Sequence, residues 1–212
     1  MVIKMVYPVT KLTIIPVVKL WIKEAIGLEN LPKKGAFIAA ANHASYLDHL
    51  IIAGFIISHL NRKAHFLAKK EHFDNIFKKA WHTYAGAIPI DRQKGGKEAL
   101  KWAIKALKQG KIIAIHPEGT RTLTGKLQRA RTGVARLALF AKAPVVPIGL
   151  IGTFEILPKG NYMPKFKRAV MNIGKPMHFE EYHNKNINKI ILREVTDKIM
   201  KEIARLCKQK YT

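Results

Sequence analysis

The chain has 212 residues, of which 48% are hydrophobic, and its 38 Lys and Arg against 14 Asp and Glu give a formal net charge of +24. This length and hydrophobic content predict one domain with a buried core. Its single cysteine, Cys207, excludes an internal disulfide and a cysteine-based zinc cluster, which favours a reducing compartment, the cytoplasmic side of the cell.

The N-terminal segment, residues 1–30, is predicted to be helical and to lie on a membrane surface. Residues 5–22 are rich in Val, Ile and Leu, but lysines recur among them, and Pro8 and Pro16 interrupt a regular helix. A bilayer span needs about 20 nearly uninterrupted apolar residues, so an amphipathic segment in the headgroup layer fits the pattern better. A helix that packs on the core is the alternative. No secretory signal is predicted at this end.

From residue 36 onward, short apolar runs alternate with amphipathic stretches. The short runs are rich in β-branched residues and are predicted to be strands: 36–41, 65–68, 84–90, 112–116 and 145–151. The stretches between them are predicted to be helices: 47–58, 97–108 and 132–141. This order predicts an α/β domain over residues 31–212, in which helices flank a mostly parallel sheet. Ligands of such sheets bind at the carboxyl ends of the strands, so polar motifs that follow strands form the candidate site.

A last helix is predicted over residues 188–210. Its apolar residues recur at helical spacing and its basic residues lie largely elsewhere: Ile191, Leu192, Val195, Ile199, Ile203 and Leu206. We interpret this stripe as packing on the domain, with the charges in water. Contact with a membrane is the alternative.

The first polar motif, Asn42-His43-Ala44-Ser45-Tyr46-Leu47-Asp48, follows the first predicted strand. It places His43 and Asp48 five positions apart across a strand-to-helix turn. A carboxylate that accepts a hydrogen bond from one imidazole nitrogen fixes the tautomer, so that the other nitrogen takes a proton from a substrate hydroxyl. The motif is a triad without its nucleophile, so the substrate alcohol itself would attack. The alternative is structural, because Ser45 and Asp48 resemble a capping box at a helix start.

The second polar motif, His116-Pro117-Glu118-Gly119-Thr120-Arg121, follows another predicted strand. Such a turn offers backbone N–H groups, a hydroxyl, a carboxylate and a guanidinium, which together suit a phosphate monoester. In this interpretation Arg121 binds the phosphate, and Glu118 holds a glycerol hydroxyl or orients the arginine. A tight turn without a ligand is the alternative.

Together the two motifs resemble those of the glycerolipid acyltransferase family typified by 1-acyl-glycerol-3-phosphate acyltransferases, in which an Asn-His-(four residues)-Asp motif precedes Glu-Gly-Thr-Arg. The segment Gly86-Ala87-Ile88-Pro89-Ile90-Asp91-Arg92 is similar to the block between them, and Val145-Val146-Pro147-Ile148 is similar to the fourth block. These four blocks cover roughly residues 36–151.

The resemblance implies an enzyme of phospholipid biosynthesis that moves a fatty acyl group from acyl-CoA or acyl carrier protein to the free hydroxyl of lysophosphatidic acid, without a cofactor or metal. His43 would be the general base and Asp48 its orienting partner. The acceptor would contact Glu118, Gly119, Thr120, Arg121, Arg92 and Arg131. A peripheral or monotopic protein on the cytoplasmic face of the cell membrane is expected, with an anionic membrane surface and a lysophospholipid as partners.

Three other hypotheses stay open at this point. The same chemistry would serve another acceptor, such as glycerol-3-phosphate, a different lysophospholipid or a lyso-aminolipid. The positive charge also fits a nucleic-acid-binding module, although the sequence has no recognised nucleic-acid motif and no nucleic acid is expected as a partner. A metal hydrolase using His43, Asp48 and His116 lacks a convincing further ligand.

Overall fold

The computed structural model describes residues 12, 14–76, 79–80, 83, 86–90 and 96–211, which form a seven-stranded sheet between two layers of helices. The strands are β1 (Ile22–Ile26), β2 (Phe37–Ala41), β3 (Ala64–Lys69), β4 (Ala87–Ile90), β5 (Ile112–Ile115), β6 (Val145–Ile151) and β7 (Ala169–Ile173). Their order in the sheet is β1-β7-β6-β2-β5-β3-β4. Strands β2 to β6 run parallel, whereas β7 pairs antiparallel with β6 and carries β1 parallel to itself at the edge.

The helices are α1 (Ile14–Leu20), α2 (Asp48–Leu60), α3 (Lys97–Lys108), α4 (Gly133–Ala141), α5 (Thr153–Ile156) and α6 (Lys189–Leu206). Buried side chains of α3, α4 and α6 share one core with one face of the sheet. Those of α1, α2 and α5 share a second core with the opposite face. Both faces of the sheet are therefore covered, as a parallel sheet requires.

Strand β2 shows why the sheet lies between two cores. Its five side chains are all buried, and they alternate between the faces because successive residues of a strand point in opposite directions. Ile38 and Ala40 belong to the core of α3, α4 and α6, whereas Phe37 and Ala39 belong to the core of α1 and α2. The loop that follows β2 at residue 42 therefore starts from one of the most deeply buried strands of the sheet.

The predicted fold class, an α/β domain with a mostly parallel sheet flanked by helices, is confirmed. The sequence did not indicate β1 and β7; β1 lies at the edge of the sheet and buries few of its side chains. Strand β1 falls within the predicted N-terminal segment, of which residues 1–11 and 13 lie outside the described part of the chain. Tyr84 and Ala85, at the start of a predicted strand, also lie outside it.

Helix α6 packs as interpreted from its apolar stripe. Leu192, Val195, Ile199 and Ile203 are buried against the sheet and its neighbouring helices. The alternative, a stripe presented to a membrane, does not apply to these side chains. Over the described residues, no helix is both long enough and apolar enough to cross a bilayer.

Candidate active site

Asn42 fixes the point at which the chain leaves β2. Its buried side-chain amide donates from Nδ2 to the carbonyl oxygen of Leu150 at 2.9 Å, and its Oδ1 accepts the N–H of Leu150 at 2.7 Å. The backbone pairing of β2 with β6 reaches Ala41 and Ile148. The amide of Asn42 thus continues the ladder by one step while the backbone turns away, and this places His43 at the carboxyl edge of the sheet.

His43 and Asp48, predicted as base and partner, are in contact. His43 Nδ1 lies 2.8 Å from Asp48 Oδ2, and the same oxygen accepts the backbone N–H groups of Ala44 and Ser45, each at 2.7 Å. Asp48 is the first residue of α2 and is fully buried. The N–H of Ser45 is one half of the contact expected of a capping box, but the N-cap of α2 is Leu47 and has no side-chain cap. The carboxylate of Asp48 thus holds the turn before the helix and contacts the imidazole.

Two features of the environment of Asp48 act on its pKa in opposite directions. Burial raises the pKa of Asp48, whereas hydrogen bonds from the backbone N–H groups of Ser45 and Ala44 act to lower this pKa. Two backbone N–H donors to one carboxylate, at the N-terminus of a helix, favour its charged form. A negative charge held beside His43 raises the basicity of the imidazole.

His116 forms a platform beneath His43. The two rings are stacked, with centroids 3.8 Å apart and planes 7° apart. His116 Nδ1 lies 3.1 Å from the carbonyl oxygen of Ala41 and 3.0 Å from that of Asn42, so this nitrogen carries the hydrogen that both carbonyls accept. Burial lowers the pKa of His116 to about 3, which keeps the ring neutral at physiological pH.

The stacking also bears on the metal-site hypothesis. Nitrogens of two parallel stacked rings do not converge on one point, and His116 Nδ1 is engaged by backbone carbonyls. Within the described ranges, no group of three His, Cys, Asp or Glu side chains is placed to hold a metal ion.

Glu118 joins two loops at this edge of the sheet. Its Oε1 accepts the backbone N–H of His43 at 2.7 Å, and its Oε2 accepts the backbone N–H of Gln128 at 2.8 Å. The carboxyl group is buried, and this burial raises the pKa of Glu118 to about 7. Through these contacts Glu118 supports the backbone of His43, a role that the sequence motif did not reveal because His43 lies 75 residues away in the chain.

His116→Phe is expected to make the fold less sensitive to acid. The pKa of His116 lies below its usual 6.5 in the folded protein, so the unfolded chain binds the proton more readily, and stability is lost as the pH falls from about 6.5 to about 3. A phenyl ring keeps the stacked surface without titrating, so the variant avoids a loss of about 3 kcal/mol by pH 4. Urea unfolding at pH 7 and pH 4 measures this difference.

The control for this comparison is internal. Glu118 has a raised pKa, so its own contribution to stability falls as the pH rises from about 4.5 to about 7. This opposite effect is present in both proteins and cancels between them. An equal loss of stability in wild type and variant would show that His116 does not resist protonation.

The remaining residues of the second motif lie on the turn that follows β5. Gly119 has a φ of +76°, and a Cβ at this position would lie 3.3 Å from the side chain of Arg131. The backbone N–H of Arg131 donates to the carbonyl oxygen of Pro117 at 2.9 Å. The guanidinium carbon of Arg121 lies 3.5 Å from the ring centroid of Tyr46. Arg131 is thereby brought beside the turn from ten residues away.

The other two predicted acceptor contacts have different positions. Thr120 is exposed, and its carbonyl oxygen accepts a hydrogen bond from Gln128 Nε2 at 3.1 Å. Arg92 lies outside the described residues.

A cavity of about 520 Å³ opens beside the histidines. Of the predicted site residues, His43, Gly119 and Arg131 line it, whereas Asp48, Glu118, Thr120 and Arg121 lie outside its lining. The apolar part of the lining comes mainly from β3, α3 and β5: Phe66, Leu67, Ala99, Leu100, Ala114 and Ile115.

Two basic residues that were not predicted as site residues also line the cavity, Lys97 and Arg136. Both lie in the first turn or so of a helix, Lys97 in α3 and Arg136 in α4, where the helix dipole disfavours a positive charge. With Arg131 they make three cationic groups, and none of the three has an acidic partner among the described residues. Basic residues at helix starts were the available signal for an anion-binding cavity, because local violations of such rules concentrate at functional sites.

Comparison with known proteins gives three consistent results. The sequence profile of the acyltransferase family matches residues 24–151. The 1-acyl-sn-glycerol-3-phosphate acyltransferase of Bacillus subtilis is 31% identical over 154 residues, which cover 73% of each chain. The chloroplastic 1-acyl-sn-glycerol-3-phosphate acyltransferase LPAT1 of Arabidopsis thaliana is 30% identical over 162 residues, which cover 72% of this chain and 42% of that enzyme. The crystal structure of the 1-acyl-sn-glycerophosphate (LPA) acyltransferase PlsC from Thermotoga maritima superposes with a TM-score of 0.71 at 24% identity, covering 95% of this chain and 83% of that one, and shows the same fold.

Proposed function

The chain belongs to the acyltransferase family, as a glycerolipid acyltransferase of the lysophosphatidic acid type, and we propose that it transfers a fatty acyl group from acyl-CoA or acyl carrier protein to lysophosphatidic acid. The product is phosphatidic acid. The observation that carries this proposal is the position of His43, which contacts the buried carboxylate of Asp48 and lines a basic cavity. We further propose that the enzyme works at the cytoplasmic surface of the membrane.

In the proposed reaction His43 takes the proton from the free hydroxyl of the acceptor as its oxygen attacks the thioester carbonyl. The new C–O bond forms, the C–S bond breaks, and the imidazolium returns the proton to the departing thiolate. Asp48 stabilises the imidazolium while it carries that proton. General-base catalysis of this kind contributes about 10²- to 10⁴-fold, and holding the two substrates together adds to it.

The acyl group passes directly between substrates in this proposal. Ser45 is the hydroxyl nearest to His43 along the motif, but its Oγ donates to the carbonyl oxygen of Leu157 at 2.9 Å and accepts the N–H of Leu47 at 3.2 Å. Cys207 is buried, and burial raises the pKa of its thiol to about 11, which keeps it from acting as a thiolate. The engaged hydroxyl of Ser45 and the protonated thiol of Cys207 both support a mechanism without an acyl-enzyme.

We assign the acceptor phosphate to the basic part of the cavity. Arg131 lies beside Gly119 of the turn, and Arg136 and Lys97 approach from the starts of two helices whose N–H groups also favour an anion. Arginine binds phosphate with two parallel hydrogen bonds, so Arg131 and Arg136 are the principal contacts. Arg121, stacked on Tyr46, is proposed as a further contact from outside this lining.

Thiol release from palmitoyl-CoA, with product identification, tests the proposal. Wild-type protein is expected to release thiol only with an acceptor, and far faster with lysophosphatidic acid than with monoacylglycerol, which lacks the phosphate. Arg131→Ala removes a charge-assisted hydrogen bond of about 1.5–3 kcal/mol, so it should raise the KM for lysophosphatidic acid about 10- to 100-fold. Its effect on monoacylglycerol should be small.

Arg129→Ala is the matched control for this variant. Arg129 is an exposed arginine two residues away that does not line the cavity, so its loss changes the net charge equally. An equal rise of KM in both variants would mean that overall charge, and not the cavity, binds the acceptor. Absence of thiol release with glycerolipid acceptors, using either acyl-CoA or acyl carrier protein as the donor, would overturn the proposed function.

A further inference from the structure

The loop between α5 and β7, residues 158–168, exposes an unusual amount of apolar surface. Tyr162 is 90% exposed, Met163 80% and Phe166 102%, so three large side chains within five residues lie almost wholly in solvent. Single exposed apolar residues are common on soluble proteins, but a contiguous group of them marks a surface that contacts a partner or a membrane.

The charge of this loop indicates which partner it fits. Lys159, Lys165, Lys167 and Arg168 are all exposed, and residues 158–168 contain no Asp or Glu. Aromatic rings between basic residues match the headgroup layer of a bilayer, where aromatic side chains are enriched and each Lys or Arg is attracted to anionic lipid. This combination favours an anionic membrane surface over a protein groove.

The loop is hydrogen-bonded to Trp21 and Ile22, the two residues that follow helix α1. Trp21 Nε1 donates to the carbonyl oxygen of Lys165 at 3.3 Å, and Arg168 donates to the carbonyl oxygen of Ile22 at 2.8 Å. Helix α1 in turn exposes Leu20, 70% in solvent, and Val17, 49% in solvent. The loop and α1 are therefore joined at Trp21 and Ile22, and each contributes apolar side chains to the protein surface.

The loop also begins beside the candidate active site. The carbonyl oxygen of Leu157, the residue before the loop, accepts the Ser45 hydroxyl at 2.9 Å and the Tyr46 N–H at 3.1 Å. Both donors lie between His43 and Asp48 in the chain. A partner that contacts the loop therefore comes close to the turn that carries His43.

We propose that residues 158–168 dock the protein on anionic bilayers by inserting Tyr162, Met163 and Phe166 into the headgroup layer. The basic residues of the loop contact lipid phosphates on either side of the inserted rings. This inference rests on the proposed function in one respect only, since docking here brings an acceptor that resides in the bilayer to the cavity of His43.

Vesicle sedimentation tests the docking independently of catalysis. Wild-type protein should bind vesicles of equal phosphatidylglycerol and phosphatidylcholine more tightly than pure phosphatidylcholine, and salt should weaken this binding. Phe166→Ser should reduce the partition coefficient about tenfold, and the triple variant with Tyr162→Ser and Met163→Ser should reduce it further. Ile190→Ser is the matched control, because Ile190 is 76% exposed on α6, away from the loop.

Activity measurements separate the two proposals. The triple variant should act on a dispersed short-chain lysophosphatidic acid as fast as wild type and lose turnover about tenfold or more on the same headgroup embedded in vesicles. Wild-type binding by the triple variant, or an equal loss in Ile190→Ser, would overturn docking by this loop. A wild-type protein that docks as described but turns over neither acceptor would instead sink the proposed function and leave the docking surface standing.

Discussion

His43→Ala is expected to lower kcat for acyl transfer by about 10²- to 10⁴-fold, the contribution of a well-placed general base. The hydroxyl of the acceptor would then have to attack with its proton in place or give it to water. The proposed phosphate contacts at Arg131 and Arg136, which line the cavity, are untouched by the substitution, so the KM for the acceptor should change by much less. Single-turnover measurements with saturating substrates report the loss directly.

His178→Ala is the control for this experiment. His178 is exposed, and the neighbouring Met177 pairs with Val145 at the start of β6, which is the opposite edge of the sheet from His43. Its loss should leave kcat within about twofold of wild type, since remote surface substitutions are nearly neutral. A His43→Ala variant that is folded by circular dichroism and retains most of its turnover would remove His43 from the mechanism.

Asp48→Asn is expected to lower kcat about 10- to 100-fold while leaving the fold and the acceptor KM nearly unchanged. Two backbone N–H groups, from Ala44 and Ser45, need an acceptor at the position of Oδ2, so the amide oxygen should occupy it and the nitrogen should face Thr153. The contact with His43 then survives, and only the negative charge is lost. A hydrogen bond to a charged group is worth about 1.5–3 kcal/mol, which sets the size of the effect.

Asp48→Ala separates charge from orientation. Alanine leaves the two N–H groups without their acceptor and frees the His43 ring to rotate, so this variant should lose both stability and more turnover than Asp48→Asn. The pH dependence of kcat/KM adds a second measurement, because loss of the negative charge beside the general base should move the acidic limb of activity, where that base becomes protonated, to lower pH. Equal turnover of Asp48→Asn and wild type would mean that the carboxylate only holds the turn before α2.

The part of the site that the sequence predicted is the part built from local contacts. His43 and Asp48 lie five residues apart, and Asp48 is the first residue of α2, so a strand-to-helix turn was enough to bring them together. The fold class followed from the alternation of short apolar runs with amphipathic stretches. For this reason the order of strands and helices was predicted well, apart from β1 and β7 at one end of the sheet.

The part that was missed depends on contacts between distant segments. Lys97 and Arg136 reach the cavity only because α3 and α4 both start at the carboxyl edge of the sheet. The second oxygen of Glu118 is taken by Gln128, which belongs to no motif. The sequence predicted Glu118 as a contact for the acceptor, which stays a prediction, but it did not indicate that the carboxyl group also accepts N–H groups from two backbone segments. Such pairings follow from tertiary packing and have no local signal.

The side chain of Asn42 has a consequence for how such an enzyme changes over evolutionary time. Because its amide replaces a peptide group beside Leu150, the proposed base His43 is positioned by the sheet itself. Two of the cationic groups that line the cavity, Lys97 and Arg136, are instead borne on separate helices. Substitutions that adapt the protein to a different lipid can accumulate there while the proton-transfer chemistry is inherited unchanged.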